Sequence, residues 1–129
     1  MSVAWLLPRS SVPDALCAAA GLPALAVEGD DPDVLARLLK GREILVTRDV
    51  PISTELLRRC RWIRGLVGIG PRAGDIIDWA FADSRGLLTA TIATTSDTQE
   101  VLDNLRTTLA AMDWRLRSFD DVARHWEGT

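Results

Sequence analysis

Short apolar runs and longer stretches of helical periodicity take turns along this chain. The runs are Val3 to Leu7, Ala24 to Val27, Ile44 to Thr47, Leu66 to Ile69 and Leu87 to Ile92. Each has the length of a buried strand. Between them apolar residues recur every three or four positions, as on one face of a helix. The sets are Leu16, Ala19 and Ala20; then Val34, Leu35, Leu38 and Leu39; then Leu56, Leu57 and Cys60; then Ile76, Ile77, Ala80 and Phe81. After the last run a longer stripe follows: Val101, Leu102, Leu105, Leu109, Met112 and Leu116.

Turn and cap residues punctuate the same boundaries. Ser10 or Ser11 is placed to cap the first helix, with Pro13 in its first turn and Gly21 at its end. Asp31 before Pro32 caps the second and Gly41 stops it, while Ser53 caps the third. Gly70-Pro71-Arg72-Ala73-Gly74 is a loop, and Asp75 stands at the N-cap of the fourth helix, which Arg85-Gly86 closes. Ser96 with Gln99 three residues on has the form of a capping box. It opens a long helix over about 98–117, and Phe119 or Asp120 begins a short terminal one over about 119–127.

Strands alternating with helices predict a parallel sheet covered on both faces. Right-handed crossovers leave few topologies, and the expectation is an α/β, flavodoxin-like fold: five parallel strands in the order 2-1-3-4-5. At 129 residues the chain is expected to form one domain spanning 1–129.

Composition narrows the class. The chain is 47% hydrophobic and 26% charged, with a net charge of −3, and implies no general affinity for nucleic acid. No apolar stretch approaches the length of a membrane span, and no basic segment leads into an apolar one at the N-terminus, so the expected location is cytoplasmic. Cys17 and Cys60 lie in apolar helical patterns and are expected as buried free thiols, and no cysteine–histidine cluster suggests a metal. Arg58, Arg59, Arg61 and Arg64 crowd the end of the third helix. They suit a solvated helix C-terminus or, alternatively, a docking surface for an acidic partner.

The stretch from Gly65 to Thr91 carries a family resemblance. The strand, the glycine-containing loop, Asp75-Ile76-Ile77-Asp78, the short helix and Arg85-Gly86-Leu87 resemble the substrate-binding half of D-2-hydroxyacid dehydrogenases. Upstream, Ile44 to Ile52 is similar to that family's strand, arginine and proline turn; downstream, Trp114 to Trp126 resembles its linker helix. The resemblance covers roughly 43–126 and implies the same flavodoxin-like fold. It departs at Pro71 and Ala73, where the family carries glycines whose amides bind the substrate carboxylate; Pro71 has no N–H to offer. The resemblance also implies that the family's nucleotide-binding domain, with its catalytic arginine, glutamate and histidine, would begin where this chain ends. The chain has no G-x-G-x-x-G loop, so no nicotinamide or other cofactor is expected, nor a self-sufficient dehydrogenase.

Other flavodoxin-like activities are disfavoured by their motifs. Pro8-Arg9 stands where a response regulator needs an acidic pair, and no Asp-x-His-x-x-Gly is present for a cobalamin. In open α/β sheets, ligands sit beyond the carboxyl ends of the strands. That rule gathers Arg9, Ser10, Arg48, Asp49, Arg72, Ala73 and Gly74 as ligand-binding candidates for a small anionic molecule. Arg48, Asp75 and Asp78 are the candidates for catalysis, the two carboxylates for proton transfer. The expected function is a cofactor-independent enzyme of specialised metabolism, acting on a carboxylate-bearing amino or keto acid by condensation, cyclisation or proton transfer. The alternative is a non-catalytic ligand- or partner-binding module. In the resembled family the long helix packs on the cofactor domain. Without that cover its apolar stripe predicts a homodimer through 98–117.

Overall fold

The structure, a computed structural model, describes residues 2–9, 15–22, 24–29 and 31–127. Five parallel strands form one sheet: β1 Val3–Pro8, β2 Ala24–Val27, β3 Ile44–Arg48, β4 Gly65–Ile69 and β5 Leu88–Ile92. Their order is β2-β1-β3-β4-β5, as the strand and helix alternation predicts. The helices are α1 Ala15–Ala20, α2 Pro32–Leu38, α3 Thr54–Arg59, α4 Ala73–Ile76, α5 Trp79–Ser84 and α6 Thr98–Glu127.

Side chains of the central strands alternate between two cores. Val3, Trp5 and Leu7 of β1, Ile44 and Val46 of β3, and Val67 and Ile69 of β4 face α1 and α6. Ala4, Leu6, Leu45 and Leu66 face the other way, onto α2, α3 and α5. Strands apolar on both sides are what a parallel sheet between two helical layers requires. Cys60 lies in the second core, where burial pushes its thiol up to about 11 although Arg85 pulls it down.

The homodimer expectation loses its premise here. Val101, Leu102, Leu105, Leu109, Met112 and Leu116 are all buried inside this chain, against β1, β3 and β4. The other helix on that face is α1, and it shares the core there with α6. Among the described side chains, the large apolar ones that α6 leaves exposed are Trp114, Phe119 and Val122.

Three further local expectations change. First, α6 runs without a break through the point where a second helix was expected to start. The Ser118 hydroxyl donates back to the Trp114 carbonyl inside the helix at 2.8 Å and does not cap a new one. Arg117 meets Glu43, and Arg64 bridges Glu43 at 3.2 Å and Asp120 at 2.9 Å, which ties the distal half of α6 to the start of β4. Second, Asp97 and not Ser96 caps α6, accepting from the N–H groups of Gln99 and Glu100. Third, Val34 and Leu38 are exposed, and only Leu35 and Leu39 of that stripe are buried. Asp31 and Ser53 cap α2 and α3 as expected. The expected cap of α1, at Ser10 or Ser11, lies outside the described residues, as does the side chain of Cys17. No helix of the described residues is long and apolar enough to cross a membrane.

Candidate functional site

Because all five strands are parallel, their carboxyl ends share one edge of the sheet. The tightest construction there is the turn after β4. Gly70 adopts a positive φ of 95°, and the Ala73 N–H closes the turn onto the Gly70 carbonyl at 3.3 Å. The turn folds back onto Gly68. A Cβ on Gly68 would stand 2.8 Å from the Ala73 Cβ, 2.9 Å from the Ile77 Cδ1 and 3.2 Å from the Trp79 ring. Trp79 clamps the turn from the far side, its Nε1–H donating to the Ala73 carbonyl at 3.1 Å. The part Trp79 plays was not legible in the sequence. The missed signal was Gly68, a glycine inside a strand, which marks close approach of another segment.

The aspartate motif is built differently from expectation. Asp75 caps nothing: it is an exposed residue of α4, and its N–H bonds the Arg72 carbonyl at 3.0 Å. The chain leaves the helix at Ile77, which is extended and forms an isolated parallel bridge with Ile52. Both isoleucines are buried in the same core, and seating Ile77 there costs the helix its continuity. Asp78 then caps a new helix, α5: one carboxylate oxygen accepts from the Phe81 N–H at 3.1 Å and the other from the Thr54 hydroxyl. Asp78 therefore staples the start of α3 to the start of α5.

The Thr54 hydroxyl first, and the Phe81 N–H second, hold the Asp78 carboxyl below its ordinary value of 3.8. A depressed carboxylate stabilises the fold above the unfolded value and ceases to do so as pH falls through the folded one. Asp78→Asn is expected to lower the melting temperature by a few degrees at pH 7. The difference from the parent should shrink as pH falls below about 4. Thermal melts of both proteins from pH 7 to pH 3 read this directly. Equal melts at pH 7 would remove Asp78 from the staple.

The arginine candidates are dispersed. Arg9 is exposed and pairs with Glu28 at 3.3 Å. Arg48 ends β3 and lies opposite Ile69 in the ladder, one residue before Gly70. The next residue, Asp49, holds a positive φ of 61°, a conformation Asp tolerates better than most side chains. The buried Thr47 hydroxyl pins that bend by donating to the Val50 carbonyl at 2.8 Å. Arg72 is exposed on the Gly70 turn, Ala73 is buried beneath it and Gly74 is exposed. Ser10 lies outside the described residues.

Several separate hollows follow this edge. One of about 430 Å³ lies between Gly70, Pro71, Ala73 and Gly74 on one side and 91–94 on the other. A second, about 220 Å³, includes Pro8, Gly29 and Asp49. A third, about 520 Å³, is lined by Arg9 and Glu28, and a fourth, about 430 Å³, by Thr54, Asp75 and Asp78. None of these four is lined by both Arg9 and the Gly70 turn. The helix N-terminus expected beside the loop contributes little, because α4 has four residues and Asp78 occupies the start of α5. Among the described residues no group of three or more His, Cys, Asp or Glu side chains is placed to hold a metal ion.

No protein-family model and no curated protein matches the chain. Solved structures do. A phosphoglycerate oxidoreductase from Vibrio cholerae superimposes with a TM-score of 0.62 at 19% identity, over 74% of this chain. The chain has the fold of that region. It spans 32% of that protein's length. A D-lactate dehydrogenase from Aquifex aeolicus matches with a TM-score of 0.48 and 20% identity, over 73% of this chain and 28% of its own. A putative pilus assembly-related protein from Burkholderia pseudomallei matches with 0.49 and 15%, over 85% and 90%. The likeness to the oxidoreductase agrees with the family resemblance carried by 43–126, and at this identity it speaks for the fold.

Proposed function

We propose that this chain is a non-catalytic ligand-binding module that takes a small carboxylate-bearing anion at the Gly70 turn. The observation that carries the reading is the locked turn itself. Gly68, Ala73 and Trp79 hold its backbone against β4, and the 430 Å³ hollow opens between it and 91–94. A hollow of that size suits a small metabolite. Arg72 is exposed on the turn that forms one wall, and Arg48 ends β3, the strand on the other side of β4. The fold is shared with part of a phosphoglycerate oxidoreductase, which makes phosphoglycerate the first probe.

Binding is favoured over proton transfer by the place of Asp78. Its carboxylate is engaged by Thr54 and Phe81 and held below the ordinary range, so it is charged and occupied at neutral pH. Calorimetric titration with 3-phosphoglycerate is expected to show saturable binding. Charge-assisted contacts contribute about 1.5–3 kcal/mol each. Arg48→Ala and Arg72→Ala should each weaken the complex by about 10- to 100-fold with unchanged far-UV CD. No saturation at millimolar ligand, or equal affinity in both variants, would place the ligand elsewhere.

A further inference from the structure

A further hollow lies at the opposite edge of the sheet, where β4 and β5 begin. It measures about 970 Å³ and runs between the end of α3, the end of α5 and the distal half of α6. Four arginines line it, Arg58, Arg61, Arg64 and Arg85, against one lining carboxylate, Asp120. The chain as a whole carries −3, so this groove is a cationic island on an acidic protein.

The four guanidiniums are not equivalent. Arg85 is committed to the fold: it donates to the carbonyls of Leu57, Cys60 and Arg61 and so satisfies the end of α3. Arg64 is held by Glu43 and Asp120. Arg58 stacks over the Phe81 ring at 5.5 Å, with Arg85 at 6.0 Å from the same ring. Among the described residues neither Arg58 nor Arg61 forms an ion pair. These two stand three residues apart on one wall. The opposite wall sets Leu116, Phe119 and Ala123 beside Asp120, and Phe119 is 59% exposed.

We propose that this groove is a docking site for an acidic segment of a partner polypeptide, with an apolar side chain set between its carboxylates. Charge complementarity selects the sign of the partner. The geometry selects its form. A compact oxyanion needs donors converging on one point, and here the inner donors already serve carbonyls and carboxylates. Arg58 and Arg61 instead offer planar, bidentate contacts spaced along a wall, as an extended acidic chain requires. Phe119 supplies the aromatic anchor that such interfaces favour. The site is independent of the Gly70 turn and stands or falls separately.

A random-peptide library displayed on phage, panned on the immobilised protein, tests this. Enriched peptides are expected to carry several Asp or Glu residues with an aromatic or aliphatic residue among them. A fluorescein-labelled enriched peptide should bind with an anisotropy change that weakens as sodium chloride is raised. Arg58→Glu combined with Arg61→Glu should raise its Kd by tenfold or more, about the effect of losing one charge-assisted contact. Phe119→Ser should raise it severalfold, and Arg48→Ala should leave it unchanged. Both arginines are exposed, but Arg58 also stacks on Phe81 and favours the charged Asp78. The double variant should therefore melt a few degrees below the parent, while Arg61→Glu alone melts like it and still weakens the peptide. A large fall in the melting temperature of Arg61→Glu would show that arginine to be structural and overturn the proposal. Neutral or basic enriched peptides, or a Kd indifferent to the charge reversal, would overturn it. So would complete displacement by millimolar inorganic phosphate, which marks a small-anion site. A dimer of this chain that the double variant dissolves would name a second copy as the occupant and equally defeat the proposal.

Discussion

Leu105→Glu is expected to leave the chain unfolded in water. Leu105 has no exposed surface and sits in the core formed by α6 with Trp5, Val46 and Met112. A carboxylate with no partner there costs several kcal/mol, and a domain of this size has only about 5–15 kcal/mol to lose. Leu105→Ala is the graded version and should cost about 2–5 kcal/mol, with a fall in melting temperature of the order of 10 °C. Far-UV CD and urea unfolding measure both. The result also decides the role of α6. A Leu105→Glu protein that stayed folded and only changed its mass in light scattering would return the helix to an interface, as its uncovered stripe suggested from sequence.

Gly68→Val should be nearly as damaging, for the opposite reason. The site has no room: even the first carbon of a side chain meets the Ala73 Cβ at 2.8 Å and the Ile77 Cδ1 at 2.9 Å, and both residues are buried. The Ala73 Cβ is fixed to the backbone, and the Ile77 Cδ1, although the end of its side chain, is held in the buried core. Overpacking of this kind costs about 1–3 kcal/mol for the single carbon of Gly68→Ala, and valine adds two methyl groups to the same collision. The relief available is for the Gly70 turn to lift off β4. That motion would break the bond from Trp79 to the Ala73 carbonyl and open the hollow beside 91–94. Gly68→Ala is therefore expected to lose phosphoglycerate affinity beyond its loss of stability, and Trp79→Phe should reproduce part of that loss. If Gly68→Ala melts with the parent, the turn is not packed on the strand as described.

The Gly70 turn and the arginine groove occupy opposite edges of one sheet. Their evident difference is in how much of the charge is already spent. At the turn, Arg72 lies exposed on a backbone that the core holds in place. In the groove, the core-facing arginines complete the fold and the outer ones remain for a partner. Arg85 shows why counting arginines in a sequence misleads: it closes its own helix as the sequence placed it, and its guanidinium also serves the end of α3.

Fold class was legible because it rests on two periodicities that need no knowledge of distant residues. Apolar runs of strand length, alternating with stripes of helical spacing, leave a parallel sheet between two helical layers as the economical arrangement. Asp31 and Ser53 were legible for the same reason, since a cap bonds a backbone N–H two or three residues away. Where two capping residues stood close together, the choice passed to the tertiary structure. Asp75 yielded to Asp78 because Ile77 is drawn onto Ile52, 25 residues earlier; and α6 runs on past the expected break at 117–119, where Glu43 and Arg64 grip it through Arg117 and Asp120. The long helix is the clearest case. Its amphipathic stripe was plain in the sequence, but a stripe states only that something must cover it. That the cover is this chain's own sheet, around Trp5, was decided by the need to bury both faces of five strands. The arginine groove was half visible in the same sense: the sequence shows the cations crowding one helix end, and only packing brings Phe119 to face them from sixty residues downstream.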